Sequence, residues 1–133
     1  MKRQDIRDSA FKIIFESLLR NDSIGELYAL ADDADEIIVN DKVKEIVEGT
    51  LANREKINEM IQLYSTKRTV DRIAKINLAI LQIAFYEIMF DDLTPVNAAI
   101  SEAVHLAETY AYEQDISFIN GILGAYSKSL ENK

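Results

Sequence analysis

Residues Ile76–Phe90, INLAILQIAFYEIMF, most restrict what this chain can fold into. Only Asn77, Gln82, Tyr86 and Glu87 carry polar side-chain atoms there, so as a helix the stretch is apolar nearly all the way round. A surface helix keeps one face wet; a helix without a wet face must be enclosed by other helices or by lipid. Fifteen residues rise only about 22 Å, short of the ~20 residues that a span needs. Gln82 and Glu87 also sit where lipid penalises an amide and a carboxylate. The stretch therefore reads as the central helix of an all-α fold, and the rest of the chain supplies its jacket.

At 133 residues, 48 % of them apolar and 29 % charged, the chain can bury a core and lies outside the disordered range. One proline and four glycines leave few turns, which favours long helices over a sheet. The absence of cysteine excludes disulfides and thiolate metal sites. The opening MKRQDIRDSAFKII is charged and helical in period, without the apolar region of a secretory signal, and no segment is long enough to span a bilayer. A cytoplasmic protein with one domain over residues 1–133 and about six or seven helices is expected, without internal repeat or linker.

A helical stripe runs from about Arg3 to Arg20 through Ile6, Ala10, Ile13, Ile14, Ser17 and Leu18. Ser23 and Glu26 form a capping box for a short helix, Ile24–Ala31, before a solvated acidic loop over residues 32–36. Asp41 is the expected N-cap of one long helix whose stripe runs through Val43, Ile46, Val47, Thr50, Leu51, Arg54, Ile57, Ile61 and Tyr64. Thr69 or Asp71 caps a short turn ahead of the central helix. Thr94 as N-cap with Pro95 in the first turn starts the next helix, which ends near Tyr110. A loop over residues 111–116 and a last helix with Phe118, Ile119, Ile122, Leu123, Ala125, Tyr126 and Leu130 complete the chain.

Catalysis finds little material here. His105 is the only histidine, so histidine triads and multi-histidine metal sites are excluded. Glu102-x-x-His105 is half of a di-iron bundle motif without the second half. Glu87 and Glu102 are an acid–base pair only if a cleft unites them, and no glycine-rich phosphate loop is present. No enzyme activity, cofactor or metal is expected.

The formal net charge is −8, but residues 1–20 hold five cations against three carboxylates, leaving about −10 for the remainder. The first helix, beginning at Lys2 and Arg3, is thus the one basic feature of an acidic chain. Arg3, Arg7 and Phe11 lie at i, i+4 and i+8, with Gln4 and Phe15 beside them, along the border of the apolar stripe. Two readings fit. Guanidiniums with exposed rings at a helix N-terminus suit single-stranded RNA, binding phosphate and stacking bases. Alternatively, Phe11 and Phe15 are core and the arginines pair with Asp5 or Asp8.

Four segments carry a resemblance along nearly the whole chain. They are Arg3-x-x-Ile6-Arg7-x-x-Ala10-x-x-x-Ile14-Phe15; Ile80-Leu81-Gln82-Ile83-Ala84-Phe85-Tyr86-Glu87-Ile88; Pro95-Val96-x-x-Ala99-Ile100-Ser101-Glu102-Ala103-Val104-x-Leu106-Ala107; and Phe118-Ile119-Asn120-Gly121-Ile122-Leu123. Each alone is weak. In this order and spacing they resemble the NusB transcription antitermination factor family.

The resemblance implies two packed three-helix bundles and no catalytic activity. It implies partnership with NusE, the ribosomal protein S-ten, on the boxA element of nascent RNA, within an antitermination complex with RNA polymerase at ribosomal RNA operons. Lys2, Arg3, Arg7, Phe11 and Phe15 on the first helix and Phe118, on the side of the loop before the last helix, are the expected RNA-binding residues. Asn120 and Gly121 are expected to be structural, Gly121 by letting a neighbouring helix approach. Gln82, Glu108 and Ser117 replace residues that the family often keeps basic, so RNA affinity without NusE is expected to be weak. A diverged adaptor working through protein contacts alone is the alternative. The same helical domain also opens a ribosomal RNA cytosine methyltransferase, but a glycine-rich cofactor loop and a catalytic cysteine are missing here. A homodimer through the RNA-facing side is left open by the sequence.

Overall fold

The computed structural model describes residues 2–34 and 36–131, and among them are seven α-helices and no strand. The helices are α1 (Arg3–Leu19), α2 (Ile24–Asp32), α3 (Asp41–Ala52), α4 (Arg54–Tyr64), α5 (Lys75–Phe90), α6 (Val96–Tyr110) and α7 (Glu113–Glu131), with a 3-10 turn at Val70–Arg72. Residues 77–85 and Glu87 of α5 are all buried, as the unbroken apolar run requires. Helix α5 packs against α1, α3, α4, α6 and α7, so it is the wall that the rest of the fold shares. No described helix is long and apolar enough to cross a membrane.

The capping box at Ser23 and Glu26 is present in both directions, at 3.2 and 3.0 Å. The acidic stretch beyond α2 ends the helix at Asp32 and exposes Asp33 and Glu36; Asp35 lies outside the described residues.

Four boundaries differ from the sequence reading. Asn40, not Asp41, caps α3, its Oδ1 accepting from the Val43 amide at 2.9 Å. The single long helix is two, because Asn53 leaves helical dihedrals (φ −108°, ψ 13°) while its Nδ2 donates to the Gly49 carbonyl at 2.8 Å. Asparagine competes with the helix for backbone partners in this way. A one-residue break keeps the seven-residue step from Thr50 to Ile57, so periodicity could not reveal it.

Pro95 occupies the N-cap position of α6, which leaves the Thr94 side chain free for a different task described below. Helix α7 starts at Glu113, and Glu113 and Asp115 in its first turn suit the positive end of the helix dipole. Phe118 lies inside α7, as the pattern of the last helix predicts.

Glycine roles also differ from expectation. A Cβ on Gly121 would meet nothing within 4 Å, so no helix approaches there. The close approach is at Gly49, where a Cβ would collide with the Tyr86 ring of α5.

Candidate nucleic-acid interface

The basic first helix divides into an exposed end and a sealed middle. Lys2 and Arg3 are exposed, and Arg3 donates from Nη2 to Thr94 Oγ1 at 3.1 Å. Thr94 in turn donates to Asp91 Oδ2 at 2.7 Å, tying the α5–α6 connection to α1. The Thr94 hydroxyl, the Leu93 amide and nearby Arg3 and Arg7 together hold the Asp91 carboxyl below its ordinary value of 3.8, against the opposing effect of partial burial. Arg3, Ile6, Lys42, Glu45, Asp91 and Leu93 border a cleft of about 200 Å³ at this end of α1.

One turn on, Arg7 is only 4 % exposed. Its Nε donates to both oxygens of Glu87, at 2.9 and 3.0 Å, and its Nη2 to Oε2 at 2.6 Å. Glu102 stands 3.8 Å from Nη1. Burial works against the Arg7 charge most strongly, yet the hydrogen bond and field of Glu87, with Glu102 and Asp91 behind it, raise its pKa overall. Glu87 and Glu102 are thus brought together around a guanidinium, and Arg7 and Glu87 also line the cleft at this end of α1. The Arg7 donors, expected at RNA, are committed to a buried carboxylate, and releasing them would strand Glu87.

Phe11 is interior as well. It is 2 % exposed, stacked on Tyr110 at 4.8 Å and on Phe15 at 6.0 Å, so no base can reach its ring. Tyr110 donates its hydroxyl to Asp8, which also pairs with Lys12 at 3.1 Å. Burial first, and then that bond, raise the Tyr110 pKa. Phe15 is half-buried at the edge of the same ring stack. Neither of the two alternative readings holds entire: Arg7 and Phe11 are interior, whereas Lys2, Arg3 and part of Phe15 remain reachable.

Phe118 is half-buried on α7, and the guanidinium of Arg68 lies over its ring at 4.7 Å. Both border a cleft of about 500 Å³ between α7 and the α4–α5 connection, to which α1 contributes no residue.

The departures from the family pattern also sort by position. Gln82 is 0 % exposed, and its Nε2 donates to Asn58 Oδ1 at 2.9 Å. The side chain at this position lies inside the fold and not on its surface. Glu108 and Ser117 are exposed.

A family model described as the NusB family matches residues 4–128. The chain belongs to the NusB family. The transcription antitermination protein NusB of Clostridium acetobutylicum is 36 % identical over 135 positions, covering 100 % of both chains. That of Acetivibrio thermocellus is 37 % identical over 130 positions, 96 % of this chain and 90 % of the relative. Among solved structures, that of the antitermination factors NusB and NusE in complex with dsRNA aligns at TM-score 0.84 and 25 % identity over 96 % of each chain. T. maritima NusB aligns at 0.82 and 27 % identity, over 96 % of this chain and 92 % of that one.

Three NusB-family segments that look unrelated in sequence meet at one point in space: Arg7, Glu87 and Glu102 come from the first, second and third. Sequence reasoning missed Lys67 and Arg68. The signal was there, two adjacent cations in a connection of an otherwise acidic chain, but only the fold places them beside Phe118.

Proposed function

We propose that this chain is a transcription antitermination factor that binds boxA RNA of nascent ribosomal RNA transcripts jointly with NusE and alters termination by RNA polymerase. The observation that carries this reading is its alignment, over 96 % of both chains, with an antitermination NusB solved together with NusE and RNA. The family-wide match supports it independently. It acts by binding, as a single helical domain and without catalysis, in the cytoplasm where transcripts are made.

Lys2, Arg3, Phe15 and Phe118 are the residues assigned to RNA. Arg3 forms no ion pair among the described residues, and the free amides at the start of α1 add donors for phosphate. The exposed parts of the Phe15 ring and of the Phe118 ring with its Arg68 guanidinium offer unpaired bases a surface to stack on. The chain's own RNA affinity is low because its body is acidic, and NusE supplies the rest.

The test is a titration of labelled single-stranded boxA RNA and of its duplex, with and without NusE. Tight binding of the single strand only when NusE is present is expected. Equal affinity for the duplex overturns the stacking role; absence of RNA binding in the NusE complex overturns the RNA reading. In that last case the adaptor reading stands in its place, which the burial of Arg7 and Phe11 favours.

A further inference from the structure

We propose that Lys67 and Arg68, on the α4–α5 connection, form a phosphate-binding element that holds single-stranded RNA against Phe118, an inference that rests on the RNA-binding reading above. Among the described residues neither cation has a carboxylate within ion-pair distance, unlike Arg7, Lys12, Arg20 and Lys42. In a chain of net charge −8, two neighbouring cations free of carboxylates in a concave site are where an anion gains most. Arg68 is poised for it. A guanidinium lying on a ring keeps its in-plane donors free for phosphate, while its own face extends the stacking platform.

The connection that carries them is fixed. The buried Ser65 hydroxyl donates to the Arg68 carbonyl at 2.7 Å, and Gln62 Nε2 donates to the same carbonyl at 3.1 Å. Gln62 Oε1 also accepts from the Val70 amide at 2.8 Å, so one side chain braces both ends of the turn. The cation pair therefore meets its ligand without first ordering a loop, which would otherwise cost affinity.

Opposite, the cleft is bounded by Ser117, Phe118 and Gly121 of α7. Gly121 weakens its helix, and no atom of the protein uses the space its missing side chain leaves. Gly124, one turn further, is equally open but does not border the cleft. The two glycines form a matched pair for an experiment.

That experiment measures RNA affinity of the NusE complex by fluorescence anisotropy over a range of salt. Arg68→Ala is expected to weaken binding about tenfold and to flatten the log–log salt slope by about 0.7, the share of one phosphate on a single strand. Arg68→Lys keeps the slope and loses part of the affinity, because the planar stack is gone. Gly121→Leu fills the cleft and weakens binding, while Gly124→Leu leaves it unchanged; melting temperatures confirm that all four variants fold. Unaltered affinity in Arg68→Ala and Gly121→Leu, with a loss in Arg3→Ala, overturns the inference and spares the RNA reading. A loss that appears in NusE affinity instead of RNA affinity marks a protein-binding cleft and also overturns it. If the unaltered complex binds no RNA, the RNA reading fails and takes this inference with it.

Discussion

Arg7 and Glu87 face each other across eighty positions of chain, buried at the junction of α1 and α5. A buried pair of this kind contributes less as a pair than either member costs when left alone, because the survivor keeps its desolvation penalty. Glu87→Ala is expected to destabilise by about 3–5 kcal/mol in urea unfolding, and Arg7→Ala by a similar amount. The double change Arg7→Met with Glu87→Leu should cost far less than either single; a double mutant as unstable as the sum would refute the argument. Arg7→Ala protein that remains folded should keep its RNA affinity, since that guanidinium does not face solvent. In the sequence, the place of Arg7 at the edge of the apolar stripe was legible, and its direction was not. The partner that decides the direction lies on another helix, beyond the reach of any spacing rule.

Elements were legible where apolar pattern alone determines them, and α5 is the clearest case. The boundaries that escaped depend on single side chains turning back to the backbone, as Asn53 and Asn40 do. The same limit hid the glycine that matters for packing. Gly49→Ala should gain about 1 kcal/mol of helix propensity and lose about 1–3 to overpacking against Tyr86, a net destabilisation of about 1 kcal/mol. Adding Tyr86→Phe should not rescue it, because the ring carbons collide as well as the hydroxyl.

The α5–α6 connection gives a pH-dependent test at the same scale. Asp91 titrates lower in the folded chain than its ordinary 3.8, chiefly through Thr94. That contribution is present above pH 3.8 and is lost as pH falls through the folded value. Thr94→Val should therefore be less stable than the unaltered protein at pH 7, with the difference shrinking below pH 3.8. A difference that stays constant with pH would show that Asp91 is not the group involved.

At the scale of the whole molecule, charge and fold pull in different directions. A net charge of −8 repels RNA at a distance, while the fold gathers Lys2 and Arg3 at one end of α1, and Lys67 and Arg68 beside α7, clear of ion pairs with carboxylates. Of the cations the sequence offered on the first helix, Arg7, Lys12 and Arg20 are spent on carboxylates. If the four cations Lys2, Arg3, Lys67 and Arg68 carry the phosphate contacts, roughly 0.7 each gives a log–log salt slope of about −3 for single-stranded RNA bound by the chain alone. Repulsion by the acidic body, which salt screens, should flatten it further. Addition of NusE should steepen the slope, since a basic ribosomal partner brings phosphate contacts of its own and covers carboxylates that oppose the strand. Anisotropy titrations at several salt concentrations, with and without NusE, read both slopes directly. A slope well beyond about −3 for the chain alone would mean that cations beyond these four meet the strand.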